Sequence, residues 1–449
     1  MIKLWKERMM ELIGEENVIV KDSAIDRLSK DFYWYSPILF EELKDKVADC
    51  AVVPKTIDEL TKIIRFAVKN RVPLTPRGAG TGNYGQGIPL NGGIILDLTK
   101  LNQIVQINEK DVRVQAGVKL GLLEKTLRKE GKELRIYPST FMKSTVGGFL
   151  CGGSGGIGSI RWGNLWDGNV LEVTILTVEE KPQLLTIKDE EVLDYIHNYG
   201  TTGILVEAVL PIESRTEWSQ YIMSFDTFHE AVMFSDELSR DEAITKRLVS
   251  VCEWPIPSHF QQLKKYLVED KSIVMLEIAE DAEGKMKELS EKYGGEQSFY
   301  IPASKYHKGL KVSDFAWNHA TLWAHKHGEN MTYLQARFDT EKVLEQMRRI
   351  REGFGYEVQF HFEYIKIEGN VTPTSLPVVI YKSKERLYEI IEFFEEVGVT
   401  VNNPHTYLLG FGGYNLRMEK ITSLKEKNDP YDLLNRGKIP KEENVKLAK

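Results

Sequence analysis

The chain has 449 residues, 42% hydrophobic and 28% charged, with a formal net charge of −7. That length exceeds one ordinary core, so two or three domains are expected, and the negative balance argues against a general binder of nucleic-acid backbone. The three cysteines, Cys50, Cys151 and Cys252, lie far apart with no CxxC pair, which argues against a thiolate-held zinc or iron–sulfur cluster and for reduced thiols in a cytosol-like compartment.

The first segment, MIKLWKERMMELIGEENVIV, is broken by charges throughout and reads as neither a signal peptide nor a membrane span. No other stretch reaches the ~18 uninterrupted apolar residues that a span requires. From Val47 the pattern sharpens. VADCAVV reads as a buried strand, and Thr56 with Glu59 forms a capping-box signature. Ile57, Leu60, Ile64, Ala67 and Val68 then make an apolar helical stripe. Arg71 to Thr75 returns to a strand, so residues 47–75 read as a β-α-β unit. A glycine-rich stretch, Pro76 to Gly87, follows. GGIILDL and DVRVQAGV read as strands, and Leu120, Leu123 and Leu127 mark a short helix ending at Gly131. A second glycine-rich stretch runs from Ser144 to Gly163, before strands at Leu171–Val178 and Ile204–Ile212.

Beyond Glu213 glycine becomes scarce and strand–helix alternation resumes. SQYIMSF, SIVMLEIA, MTYLQARFD, YEVQFHFEYIKIEG and LPVVIYKS read as strands, with helices from about Thr227, Asp281 and Glu341 and one through Val397. This half reads as an α+β domain with a mostly antiparallel sheet. The tail from Ser423 carries NDPYDLLNRGKIP and ends in charged residues.

Gly80, Gly82 and Gly85 satisfy the dinucleotide pattern G-x-G-x-x-G. That fingerprint requires a helix immediately after it to hold the pyrophosphate, and here Gln86-Gly87-Ile88-Pro89 leads to a strand instead. An anion cradle is still expected. Glycines let successive N–H groups converge on one point, Arg77 adds charge, and Thr81 and Asn83 add neutral donors. The bland alternative is a surface loop. The second stretch holds eight glycines between Ser144 and Gly163. It cannot be helical throughout and is too apolar for a linker. Tight turns between strands would explain it, but two such segments in one α/β half favour an extended flat cofactor such as a flavin dinucleotide.

These residues resemble the flavin domain of the vanillyl-alcohol oxidase type, with its PCMH-type FAD-binding domain. The likeness is greatest to the FAD-linked 2-hydroxyacid dehydrogenases, the glycolate oxidase D-subunit and D-lactate dehydrogenase group. Pro76-Arg77-Gly78-Ala79-Gly80-Thr81-Gly82 is similar to that family's P-R-G-G-G-T-G. Thr145-Val146-Gly147-Gly148 through Gly155-Gly156, then five residues and Trp162-Gly163, keeps the spacing of a second family block. Gly200-Thr201-Thr202-Gly203-Ile204-Leu205-Val206-Glu207 is similar to G-T-L-G-I-I-T-E. NDPYDLLNRGKI is similar to the D-P-x-x-L-L-N-P-G-K-I tail, with Arg436 in place of proline. The likeness covers roughly residues 10–212 and 423–440.

The resemblance implies an α+β fold in three parts. These are an FAD-binding domain of two subdomains over 1–212 (core about 46–212), a cap or substrate domain over 213–422, and a C-terminal segment, 423–449, returning to the first domain. It implies non-covalent FAD, since relatives that tether the flavin carry histidine where this chain has Thr81. The implied cofactor contacts are the loop from Pro76 to Gly82, Pro138, Ser139, Ser144, Thr145, Gly147, Gly148, Cys151, Gly153, Ser154, Gly155, Gly158, Gly203, Ile204, Val206 and Asn435. Cys151 is expected to be a small buried residue, not a reactive thiol.

The C-terminal half departs from the family. The G-H-x-G-D-G-N-x-H block is reduced to Gln359-Phe360-His361-Phe362-Glu363-Tyr364, and the E-H-G block has become Asn403-Pro404-His405, so no metal site is expected. Period 2 places His361 and Glu363 on one strand face. His405 is the expected general base, with Tyr407 and His361 as pocket partners. In WNHATLWAHKH, Trp317, His319 and Trp323 would form either an aromatic wall over a flavin or core packing, and His319 is a further site candidate.

The expected activity is FAD-dependent transfer of hydride from a 2-hydroxy acid, glycolate- or lactate-like, or a related alcohol. The electron acceptor is left open between oxygen, a quinone and an acceptor protein, as is self-association. Two alternatives stand beside it: an electron-transfer flavoprotein subunit with an iron–sulfur partner, or a catalytically diverged FAD-binding protein. The expected location is the cytoplasm, with membrane contact only as peripheral association.

Overall fold

A computed structural model describes residues 2–306, 309–412 and 416–440. The charged end of the tail, 441–449, lies outside the described residues.

The front half holds two sheets. The first has four strands in the order Val18–Ile19, Cys50–Val52, Ile94–Asp97, Leu74–Arg77. The two strands of the expected β-α-β unit are not neighbours, because Ile94–Asp97 enters between them and pairs parallel with both. Its Ile94, Ile95 and Leu96 are fully buried, which suits a central parallel strand covered on both faces. The helix Ile57–Asn70 starts where its signature places it. Thr56 Oγ1 accepts from Glu59 N at 3.1 Å, while the Glu59 carboxylate reaches back to Lys55 N. Leu60, Ile63, Ile64, Ala67 and Val68 are its buried stripe.

The second sheet is antiparallel, built on the long strand Ile204–Ser214, which pairs with Asp111–Gln115 on one side and Glu172–Leu176 on the other. The tail docks onto the first sheet. Leu74 N donates to Leu433 O and Asn435 N to Leu74 O, each at 2.8 Å.

The second half is built on an eight-stranded antiparallel sheet. Its order is Glu296–Ile301, Trp218–Phe225, Ser272–Ala279, Lys246–Cys252, His361–Ile367, Asn370–Ser375, Gln335–Arg337, Thr400–Asn402. Lys246–Cys252 was not readable as a strand. It is central, so both of its faces are buried and the polar alternation that marks a strand is missing. MTYLQARFD is two strands, not one. Met331–Tyr333 joins a small three-stranded sheet, and after Leu334 the chain passes into the large sheet at Gln335. YEVQFHFEYIKIEG breaks in the same way at Phe360.

The halves meet across buried charge. Arg128 pairs with Glu133 at 2.7 Å, and Arg247 pairs with Glu277 at 2.8 Å while lying 3.6 Å from Glu133. Among the described residues, no helix is long and apolar enough to cross a membrane.

Candidate functional site

Both glycine stretches open onto one cleft of about 890 Å³, walled on the other side by the large sheet of the second half. That volume lies toward the upper end for ligand pockets. The loop after strand Leu74–Arg77 forms its floor. Among the described residues, the N–H groups of Gly78, Ala79, Gly80, Thr81 and Gly82 find no protein acceptor. Nor do those of Ser154 and Gly155 in the second stretch.

Side chains hold this row of free donors in place. Thr81 Oγ1 lies 2.8 Å from Ser144 Oγ, which lies 2.7 Å from Thr140 Oγ1. Phe32 N donates to Gly82 O at 2.7 Å, and Asn83 Nδ2 donates to Tyr333 OH across the cleft at 2.8 Å. Gly80 has φ +66, and a Cβ there would sit 1.9 Å from Arg77 Nη2, so no other residue fits without displacing the arginine.

Arg77 is buried, and its Nη2 donates to Lys30 O at 2.8 Å, while its Nη1 has no partner among the described residues. Beneath the loop lies Asp31, facing the charges of both Arg77 and Lys438. Burial raises the Asp31 carboxyl and lowers the Lys438 ammonium, each offset by the charge of the other. Lys438 also donates to Gly85 O, so the tail's G-K-I stretch pins the far end of the loop.

The second stretch contains helix after all. Val146–Gly152 is helical, with Thr145 Oγ1 capping it by accepting from Gly148 N at 3.2 Å. Cys151 sits on this helix and lines the cleft, and burial pushes its thiol up to about 12. A thiol at that value stays protonated and unreactive at neutral pH.

The cleft collects most of the expected contacts: the loop from Pro76 to Gly82, Pro138, Ser139, Ser144, Thr145, Gly148, Cys151, Gly153, Ser154 and Gly155. Gly147, Gly158, Gly203, Ile204, Val206 and Asn435 lie outside its lining. Gly147 donates to Ala116 O at 2.8 Å behind the helix, and a Cβ on Gly158 would sit 1.9 Å from Arg135 O. Gly203, Ile204 and Val206 are packed in the interior, and Asn435 is tied to Leu74 O and Tyr199 O. They hold the layer under the cleft.

Three of the catalytic candidates are misplaced for work in this cleft. His405 is buried outside its lining with both ring nitrogens engaged, Nδ1 to Ser36 Oγ at 2.7 Å and Nε2 to Tyr333 O at 2.9 Å. A carbonyl only accepts, so Nε2 carries the proton, and burial pulls the ring down to about 4. Tyr407 packs on the cluster of Tyr33, Leu39, Leu43 and Ile88. His361 shares the expected face with Glu363 but lies one layer beneath the cleft, its Nε2 2.9 Å from Glu363 Oε1 and 3.2 Å from Ser250 Oγ. One nitrogen serves both neighbours, which is not the relay geometry of a nucleophilic triad.

His319 does line the cleft. Its Nδ1 lies 3.3 Å from Ser313 O, so the proton belongs on Nδ1 and Nε2 is left as an acceptor with no protein partner among the described residues. Burial lowers its pKa. Of the two tryptophans, Trp317 lines the cleft, while Trp323, outside its lining, is half-buried against the core, stacked on Phe315 and donating to Asp314 O.

Sequence reasoning missed Arg337. It lines the cleft from the large sheet, exposed, and its guanidinium makes no hydrogen bond or ion pair with a described residue. The available signal was one arginine interrupting the apolar run of MTYLQARFD. Among the described residues, no group of three His, Cys, Asp or Glu side chains is placed to hold a metal.

The profile of the FAD binding domain family matches residues 48–182. Over 229 residues the chain is 28% identical to the glycolate oxidase subunit GlcD of Bacillus subtilis, covering 49% of this chain and 47% of that protein. It is 27% identical to a D-lactate dehydrogenase of Anaerostipes hadrus over 47% of this chain and 44% of the relative. A D-2-hydroxyglutarate dehydrogenase of Xanthomonas citri is 30% identical over 35% of each. The chain therefore spans less than half the length of these curated relatives. A solved alkyldihydroxyacetonephosphate synthase shares the fold over 97% of this chain and 84% of its own, with a TM-score of 0.74 at 15% identity. Among the described residues, a row of unpaired amides ending at the orphaned Nη1 of a buried arginine suits a diphosphate, which agrees with the match of residues 48–182 to the FAD binding domain family and with FAD as the cofactor.

Proposed function

We propose that the chain is an FAD-dependent oxidoreductase that oxidises a small 2-hydroxy acid or a related alcohol. The observation that carries this reading is Arg337, whose guanidinium is unpaired among the described residues and set across the cleft from the glycine-lined wall. Such a group matches a carboxylate through two parallel hydrogen bonds. The names of the relatives, glycolate oxidase, D-lactate dehydrogenase and D-2-hydroxyglutarate dehydrogenase, point to the same substrate class.

When bound, the flavin supplies the hydride acceptor. The protein binds and orients. The free amides of Gly78 to Gly82 and Arg77 Nη1 hold the diphosphate, Arg337 holds the acid, and His319 Nε2 takes the hydroxyl proton. His319 is suited to this because Ser313 O fixes the tautomer and burial keeps the ring neutral.

Anaerobic titration with glycolate, D-lactate and longer 2-hydroxy acids tests the reading. The flavin is expected to bleach with at least one of them. If none of a broad panel reduces it, the reading fails. Arg337→Met removes a charged hydrogen-bond pair and is expected to raise KM about 10- to 100-fold while flavin remains bound. His319→Gln is expected to slow reduction on the order of 10²-fold. Because burial lowers the His319 pKa, the base stays competent below the ordinary histidine range near ~6.5, so the acid limb of kcat/KM should fall on the acidic side of that value. An acid limb at or above it would count against His319.

A further inference from the structure

One row of the large sheet runs from the cleft into the interior. Thr400, Arg337, Thr374, Glu363 and Ser250 stand directly opposite one another on successive strands, so their side chains share a face. Thr400, Arg337 and Thr374 line the cleft, but Glu363 and Ser250 are buried. The neighbouring residue on that face, His361, is fully buried as well.

Trp317 meets this row where it passes from cleft to interior. Its main-chain N–H donates to Glu363 Oε1 at 2.6 Å, and the same oxygen accepts from Ser250 Oγ at 2.7 Å. Trp317 has φ 55 and ψ −142, a backbone conformation that bulky residues avoid and that survives only where its surroundings enforce it. A charged acceptor on its N–H is such an enforcer. Two buried polar atoms beside this lock have no partner among the described residues: Trp317 Nε1 and His361 Nδ1. Buried polar atoms are nearly always paired, so two orphans at one boundary mark polar surface that the indole closes off.

We propose that Trp317 is the specificity-determining residue of the cleft. It stops the substrate's chain where the polar row goes under cover, and Glu363 is the positioning residue that holds it there. An acid anchored at Arg337 then meets the indole along the same wall, which favours short acids over long ones. This rests on the hydroxy-acid reading above.

The test measures binding by calorimetry on the FAD-loaded protein, using 2-oxo acids of graded length, glyoxylate, pyruvate, 2-oxohexanoate and 2-oxooctanoate, which bind without turning over. Wild type should prefer pyruvate to 2-oxooctanoate. In Trp317→Gly, whose glycine accepts the positive φ, that preference should fall by about 10-fold or more. Trp317→Phe keeps the bulk and should hold the ratio within about twofold of wild type. Glu363→Ala should move the ratio in the same direction as Trp317→Gly, and Glu363→Gln, which still offers an oxygen to the Trp317 N–H, should restore it. If every acid binds but Trp317→Gly leaves the ratio within about twofold, Trp317 does not set chain length and the proposal is wrong while the hydroxy-acid reading stands. If no 2-oxo acid binds wild type, the reading fails and takes this proposal with it.

Discussion

Gly78→Ala is expected to give a folded protein that has lost its flavin. A Cβ on Gly78 would stand 2.1 Å from Thr145 Oγ1 and 3.3 Å from its Cβ. Thr145 cannot retreat cheaply. Its hydroxyl caps the helix Val146–Gly152, and the chain behind it is pinned by Val146 N to Val118 O and Gly147 N to Ala116 O. The loop must move instead, and with it the row of unpaired amides from Gly78 to Gly82. Each amide contributes only as part of an array aimed at one point, so misaligning the array removes most of its contribution together. FAD affinity should fall on the order of 10³-fold, about 4 kcal/mol, read by quenching of flavin fluorescence on titration. Gly284→Ala is the control. It lies in the helix Glu283–Lys292 with nothing within 4 Å of its added Cβ, and flavin binding there should not change. Retention of wild-type affinity in Gly78→Ala would mean that the contact between the two glycine stretches does not build the cofactor site.

Arg247→Met should be the most destabilising single substitution outside the cleft. Arg247 is buried, with Nε donating to Glu277 at 2.9 Å, and it faces Glu133 from the front half. Trp218 and Tyr137 flank the guanidinium, with ring centres 4.8 Å and 5.5 Å from it. Glu124 stands in the same seam, and burial raises its carboxyl to about 7 against the pull of Arg247. Removing the arginine leaves buried carboxylates uncompensated, which costs about 3–5 kcal/mol and exceeds what the methionine regains by packing. The urea midpoint should drop accordingly. Adding Glu277→Gln to Arg247→Met should recover part of the loss, because the stranded charge is then gone. A change below about 1 kcal/mol would show that the seam is solvated and does not bind the halves together.

The front half was largely legible because its signals are local. Thr56 and Glu59 mark a helix start within four residues, and a run such as Pro76 to Gly82 announces close backbone approach by lacking side chains. The order of strands in the first sheet was not legible, since nothing near Ile94 says that it inserts between Cys50 and Leu74. In the second half, period 2 puts His361 and Glu363 on one face, and they do share it, yet the partner that Glu363 takes, the Trp317 N–H, arrives from a different part of the chain. Only its position against a family motif points to His405. Its partners are Ser36 and Tyr333, which no local pattern connects to it. Arg337 was missed for the opposite reason. Its importance lies in a guanidinium with no partner among the described residues, and a missing interaction leaves no mark on spacing.

The most direct test of the account is the flavin content of the purified chain. The protein is expected to be yellow, to hold FAD near one to one, and to release all of it into the supernatant on acid precipitation, as amides and one arginine without a covalent tether require. A colourless, folded protein that takes up no added FAD, or a flavin that stays with the precipitate, would contradict it.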